Sequence, residues 1–216
     1  MFNSLPESGI TLKSTNVLKY FLISSLLCCQ SYIQGQITAF FNSSYEGEAR
    51  DAVTPTGWLQ CEDGTTPDIL PGPWGVYLAP ADGNTYMGLI TRKDGSYESV
   101  GQRLPQTLKT GNCYFFKLML ARALTYNGFN KPTILRVWGG SDRCDKRQKL
   151  YESIPISHLD WKSYTIRFKP KKDIDFIIIE AFYNGKLQYT YNGNILIDAI
   201  SPIFTCDKAE LITIDK

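Results

Sequence analysis

The stretch CYFFKLMLARA, residues 113–123, decides the fold class. In an extended chain Tyr114, Phe116, Leu118 and Leu120 share one face, and Phe115, Lys117, Met119 and Ala121 share the other. Successive strand side chains point to opposite faces, so one side is wholly apolar and the other is interrupted by a charge. The turn Thr110-Gly111-Asn112 leads into the run. Asn and Gly accept the backbone angles that a reversal needs.

The same period recurs on both sides. In 133–138, Leu135 and Val137 oppose Arg136 and Trp138; in 175–183, Ile177, Ile179 and Ala181 oppose Phe176, Ile178, Glu180 and Phe182. Further strands are expected at Ile37 to Phe41, Gly75 to Leu78, Tyr86 to Thr91, Tyr97 to Leu104, Ser163 to Phe168 and Asn194 to Ser201. Turn clusters such as Pro80-Ala81-Asp82-Gly83-Asn84, Lys93-Asp94-Gly95-Ser96 and Asn184-Gly185 separate them. Many short strands with Gly, Pro, Asn and Asp punctuation read as an all-β sandwich or barrel. Packing two sheets through their apolar faces supplies the core. The one helical candidate, Asp142 to Tyr151, is too polar to dock strongly.

Residues 1–35 read as a secretory signal: Lys13 and Lys19 precede the apolar run Tyr20 to Cys29, and Gly35 offers a small residue for cleavage. About 180 residues remain, enough for one domain with its own core. Residues 36–206 form the expected sandwich and 207–216 a tail, in which Leu211 to Ile214 leaves an extra edge strand open. With 43% hydrophobic and 20% charged residues the composition is globular, and a formal charge of +2 supplies no basic surface for nucleic acid. No later apolar run reaches the length of a spanning helix.

Cys61, Cys113, Cys144 and Cys206 lie beyond the leader with no CxxC pair, which favours two disulfides over a zinc site and leaves three connectivities. The single histidine, His158, sits in a polar connector; no GxSxG elbow, HExxH pair or phosphate-cradling loop occurs. Glu62, Asp63, Asp68, Glu98 and Glu180 are available carboxylates, but spacing alone does not pair them for glycoside hydrolysis. The balance points to a non-catalytic chain.

Several motifs resemble one family. Asn42-Ser43-Ser44-Tyr45-Glu46 resembles the N-G/P-S-F-E opening of galactose-binding-like β-sandwich carbohydrate-binding modules, and Gly57-Trp58 resembles their early GW. Gln102-Arg103-Leu104, Leu108 to Gly111 and Tyr114-Phe115-Phe116 resemble their Q-x-L…L-x-x-G-x-x-Y-x-F hairpin. Trp161 to Thr165 resembles their W-x-x-Y-T segment, and Ile195 to Ser201 their closing strand. Gly47, Cys61 and Thr66 to Leu70 are similar to modules in secreted surface proteins of gliding-type bacteria.

The resemblance implies a jelly-roll of two antiparallel sheets, secreted or held at the cell surface, that binds a glycan or cell-surface polymer. An adhesive or structural role toward another protein or the cell wall is the alternative, and a small glycan-active hydrolase a third reading. The resemblance also implies a structural calcium between Glu46 and Asp198, although Ala199 stands where the family usually has a second acidic residue. It favours the pairing Cys113–Cys206, leaving Cys61–Cys144, with the other pairings open.

Sugar sites combine aromatic walls with a few placed polar groups. Arg136, Trp138, Glu180 and Lys117 on the polar-interrupted faces, Gln102 nearby, and Trp74 and Tyr77 on loops form the candidate ligand set; Tyr126 and Tyr183 are further loop aromatics. Arg136 and Glu180 equally suit an ion pair across a half-exposed sheet.

Overall fold

The computed structural model describes Met1 and residues 36–206; the proposed leader and tail lie outside the described residues. Thirteen strands appear among them: β1 (Gln36–Thr38), β2 (Leu59–Gln60), β3 (Asp68–Leu70), β4 (Tyr86–Thr91), β5 (Ser99–Leu108), β6 (Tyr114–Ala121), β7 (Lys131–Pro132), β8 (Ile134–Gly140), β9 (Gln148–Glu152), β10 (Lys162–Phe168), β11 (Ile174–Phe182), β12 (Gly193–Asp198) and β13 (Ile203–Thr205). They form two sheets. One runs β1-β13-β6-β12-β4-β3, with β10 on the other edge of β6 and β7 beside the start of β12; the second runs β2-β5-β11-β8-β9. All pairings are antiparallel except β7–β12. The fold is an all-β sandwich.

The expected faces hold. Tyr114, Phe116, Leu118 and Leu120 of β6 share one buried cluster with Leu135 and Val137 of β8, Ile177, Ile179 and Ala181 of β11, Met87 and Leu89 of β4, and Ile195 and Ile197 of β12. Apolar area removed from water here is the main stabilising term. A second cluster covers the outer face of the first sheet. Leu70, Tyr86, Ile90, Ala121 and Leu196 point outward from their strands and are roofed by Val76, Ala123 and Tyr126, with Leu78, Phe129 and Trp161 at its margin.

That roof corrects one expectation. Gly75 to Leu78 is not a strand: Pro73–Gly75 forms a single 3-10 turn, and Val76 and Leu78 pack on the sheet rather than pairing with it. The segment Asp142 to Tyr151 is a turn followed by β9, which gains its ladder from β8. β3 and β13 were not expected; both are three-residue strands placed by partners distant in sequence.

Two disulfides close the domain. Cys113–Cys206, with Cα atoms 5.3 Å apart, continues the β6–β13 ladder by one pair, and the Cys206 N–H donates to the Cys113 carbonyl at 3.0 Å. Cys61–Cys144, with Cα atoms 5.0 Å apart, joins the segment after β2 to the β8–β9 loop. In the chain-entropy picture a bridge across 93 residues stabilises by about 4 to 5 kcal/mol.

The two faces of β6 predict opposite responses. Leu118→Ala should cost about 2 to 5 kcal/mol in urea unfolding through the cavity it leaves, while the exposed Lys117→Ala should stay within about 0.5 kcal/mol. Equal losses would mean that the face assignment is wrong.

Candidate functional site

The outer face of the second sheet carries charge where most sandwich faces carry solvent. Phe176, Ile178 and Glu180 of β11 point away from the core, yet they are 1%, 0% and 1% exposed. Their cover is the Cys61–Cys144 clasp. A Cβ on Gly101 of β5 would lie 2.9 Å from the Cys61 sulfur and 2.4 Å from the Phe176 ring. One on Gly140 of β8 would lie 2.0 Å from the Asp145 carbonyl oxygen. The two glycines are empty seats into which the clasp and its loop settle, and any side chain there would lift it off.

Beneath the clasp, Glu180 organises a network. Trp138 Nε1 donates to its Oε1 at 3.2 Å, Lys146 Nζ lies 2.6 Å from its Oε2, and Arg136 Nη1 approaches Oε1 at 3.8 Å. Lys146 also bonds Glu62, and its ammonium sits 5.0 Å from the Tyr97 ring centre. Burial alone would push the Lys146 pKa down, but the hydrogen bonds to Glu180 and Glu62 hold it above the ordinary lysine value. Arg136 Nε bonds Glu152 at 2.8 Å.

Phe182, the next outward residue on β11, links this network to open space. The Arg136 guanidinium lies 3.5 Å from its ring centre and the Tyr97 ring meets it edge-on at 4.8 Å. Phe182 also lines a cavity of about 510 Å³ formed with the β11–β12 loop, whose other walls include Tyr183, Leu187, Tyr189, Asn184 and Gln188. Tyr191 ties the base of that loop: its hydroxyl accepts from the Asn184 N–H at 2.8 Å and donates to the Pro132 carbonyl at 2.9 Å. Tyr189 is 57% exposed, with Lys131 Nζ 5.3 Å from its ring centre. Phe182 and Tyr189 were absent from the candidate set; the signal that could have raised them is the aromatic run Tyr189-Thr190-Tyr191 at a strand boundary.

The other candidates separate from this face. Lys117 stands on the outer side of the first sheet, across the sandwich from Arg136, Trp138 and Glu180. Gln102 is 5% exposed and braces two loops: Oε1 accepts from the Phe41 N–H at 2.7 Å, and Nε2 donates to the Phe41 and Gly57 carbonyls at 2.9 and 3.0 Å. Its amide is spent inside the fold. Trp74 and Tyr77 belong to the segment over the first sheet, with Trp74 edge-on to Phe129 at 6.2 Å. Tyr126 is buried there too, and Tyr183 donates its hydroxyl proton to the Arg92 and Ser96 carbonyls. His158 sits between the Asp160 carbonyl, 2.8 Å from Nδ1, and the Tyr164 hydroxyl, 3.0 Å from Nε2.

Glu46 and Asp198 do converge, on one loop. Glu46 Oε1 accepts from the N–H groups of Asn84 and Thr85 at 2.8 and 3.3 Å. Asp198 accepts from Ala81, Asp82 and Ala199 at 2.8, 3.0 and 2.7 Å. Burial still pushes the Asp198 pKa up to about 6 against those donors. Calcium takes six to eight oxygens, and the arrangement does not fit it. The groups aimed at the carboxylates are N–H donors. The carbonyls of Asn42, Ser43 and Tyr45 already accept from the Trp58 indole, Ile200 N–H and Thr85 hydroxyl. Among the described residues no group of three or more His, Cys, Asp and Glu side chains is placed to hold a metal.

No protein family model and no curated protein matches the chain. Solved structures do. An arabinose-bound α-L-arabinofuranosidase aligns with 80% of this chain at TM-score 0.55 and 9% identity, and the match spans 27% of that enzyme's chain. The CBM22-1 xylan-binding domain of Xyn10C from Paenibacillus barcinonensis aligns over 79% of this chain and 97% of its own, at TM-score 0.51 and 10% identity. The chain shares the β-sandwich fold of carbohydrate-binding modules. The K3 cleaved adhesin domain of Lys-gingipain from Porphyromonas gingivalis is similar over 77% of this chain and 96% of its own, at TM-score 0.48 and 15% identity. The alignments with TM-scores above 0.5 support the fold alone and leave the ligand to the site.

Two outcomes follow from this chemistry. Glu180→Ala leaves the Trp138 indole without its acceptor and Lys146 with Glu62 alone beneath the clasp, and should destabilise by about 3 kcal/mol in urea unfolding; a loss below about 1 kcal/mol would show that the network is not structural. Excess chelator, or added calcium, should leave the melting temperature unchanged; a rise with calcium would mean that the 80–85 loop rearranges to bind it.

Proposed function

We propose that this chain is a secreted, non-catalytic module that binds a carbohydrate at the cavity beside Phe182 and Tyr189. The observation that carries the reading is that cavity. Phe182, Tyr183 and Tyr189 give it aromatic walls, and the amides of Asn184 and Gln188 stand among them. Aromatic faces pack on sugar C–H surfaces, and amides suit hydroxyls because they both donate and accept. Arg136 supports Phe182 from behind, and its charge and that of Glu180 are engaged with Glu152, Lys146 and each other rather than with the ligand, while the Trp138 indole N–H is taken by Glu180. The likeness to a xylan-binding domain agrees with the ligand class.

The carboxylates favour binding over hydrolysis. Glu62 and Glu180 share the Lys146 ammonium. Asp68 is buried against the Tyr126 hydroxyl. Glu98 accepts from Arg92, Thr66 and the Ile90 N–H. None of these oxygens is left facing a cleft as an acid and base pair. Two disulfides suit an oxidising compartment outside the cytoplasm, and among the described residues no helix is long and apolar enough to cross a membrane.

A glycan array followed by calorimetric titration tests the proposal. Tyr189→Ala should weaken binding of the array-positive glycan at least about tenfold, with Trp138→Ala weakening it less. If both variants bind as tightly as the parent the site is wrong, and an array with no positive glycan removes the carbohydrate reading altogether.

A further inference from the structure

Trp74 combines a backbone conformation rare for a side-chain-bearing residue with a partly exposed ring. Its φ of 56° and ψ of 15° place it in the left-handed region, which costs a non-glycine residue roughly 1 to 2 kcal/mol. Glycines flank it at Gly72, with φ of 120°, and Gly75, with φ of 74°. Trp74 is 42% exposed, so part of its surface reaches water while the rest packs beside Phe129.

The surrounding structure fixes the ring all the same. The Gly72 N–H donates to the Val76 carbonyl at 2.7 Å, and the Asn127 N–H donates to the Trp74 carbonyl at 3.1 Å. Asp68, 3% exposed, holds the Tyr126 hydroxyl and, at 2.8 Å, the Ala52 N–H, and the nearby Trp74 indole works with them against the rise in its pKa that burial causes. One buried carboxylate therefore neighbours the Trp74 ring and anchors the segment that bears Ala52. Between them lies a cavity of about 420 Å³ lined by Ala49, Arg50, Asp51, Pro73 and Trp74. Arg50 is exposed and, among the described residues, has no ion-pair partner.

We propose that this cavity is a second saccharide subsite, separate from the one at Phe182 and Tyr189. A pyranose ring stacks on the Trp74 indole, and its hydroxyls bond the Arg50 guanidinium and the Asp51 carboxylate. A rigid exposed aromatic, one donor fork and one acceptor form the minimal kit for orienting a sugar. The subsite belongs to the margin of the first sheet, whereas the Phe182 cavity belongs to the second. The module would then engage two sugar segments at once. The choice of ligand class rests on the function proposed above; the location does not.

The test uses the full chain labelled with 5-fluorotryptophan, its four ¹⁹F signals assigned through Trp→Phe variants. The probes are hexasaccharides of xylose, glucose, mannose and galacturonic acid. A saturable shift of the Trp74 signal is expected with at least one probe, persisting in Tyr189→Ala and weakened at least about tenfold by Arg50→Ala. Trp74→Gly, which suits the backbone angle, should abolish calorimetric binding of that probe at this subsite when introduced into Tyr189→Ala; retained binding in the double variant would overturn the subsite. A still Trp74 signal while the Trp138 signal shifts would overturn this inference and leave the Tyr189 site standing. If neither signal moves with any probe, both fall. A Trp74 shift unaffected by Arg50→Ala would also overturn the proposed subsite.

Discussion

The structure depends on a single geometric constraint, the two-residue period of β6 and β11. Because the apolar members of both strands fall on the same alternate positions, they can meet in one buried layer, and every other residue on these strands is forced outward. Both outer faces then need cover. The first sheet is roofed by loops carrying Val76, Tyr126 and Phe129, and the second by a disulfide clasp seated on glycines. The two cavities of interest lie at the margins of these covers, where the roof stops and aromatic side chains reach water.

Much of the fold was legible because alternation is a local signal. The bounds of β4 match the expected Tyr86 to Thr91, and β6, β8, β10 and β11 fall within two residues or so of their sequence-based positions. β3, β9 and β13 escaped because each owes its conformation to a partner strand rather than to its own pattern. Val76 and Leu78 look like strand residues because they alternate with Tyr77, yet they pack as a lid, Val76 buried and Leu78 partly so. Side-chain parity also told less about the site than about the core. It placed Lys117 on an outward face without saying of which sheet. It could not show that Gln102, on the same face as Val100 and Leu104, would spend its amide on Phe41 and Gly57. Trp138, Arg136 and Glu180 were legible as a group because β8 and β11 pair in register, Glu180 opposite Arg136.

Charge is handled in the same economical way at both ends of the sandwich. Glu180 gathers a lysine, an arginine and an indole under the clasp, while Asp198 and Glu46 gather the N–H groups of one turn. In each case a carboxylate that burial would otherwise disfavour acts as the knot that fixes a loop. These carboxylates are thereby engaged by groups of the fold itself.

The pairing of β1 with β13 sets Gln36 beside Phe204, so the first and last described strands are hydrogen-bonded neighbours. A short linker could join these ends, and new ends could be opened at the exposed turn around Gly95, giving a circular permutant with the same ladders. Contact order would change while the native packing would not. Such a rearranged chain would separate the order in which the strands are made from the order in which they assemble.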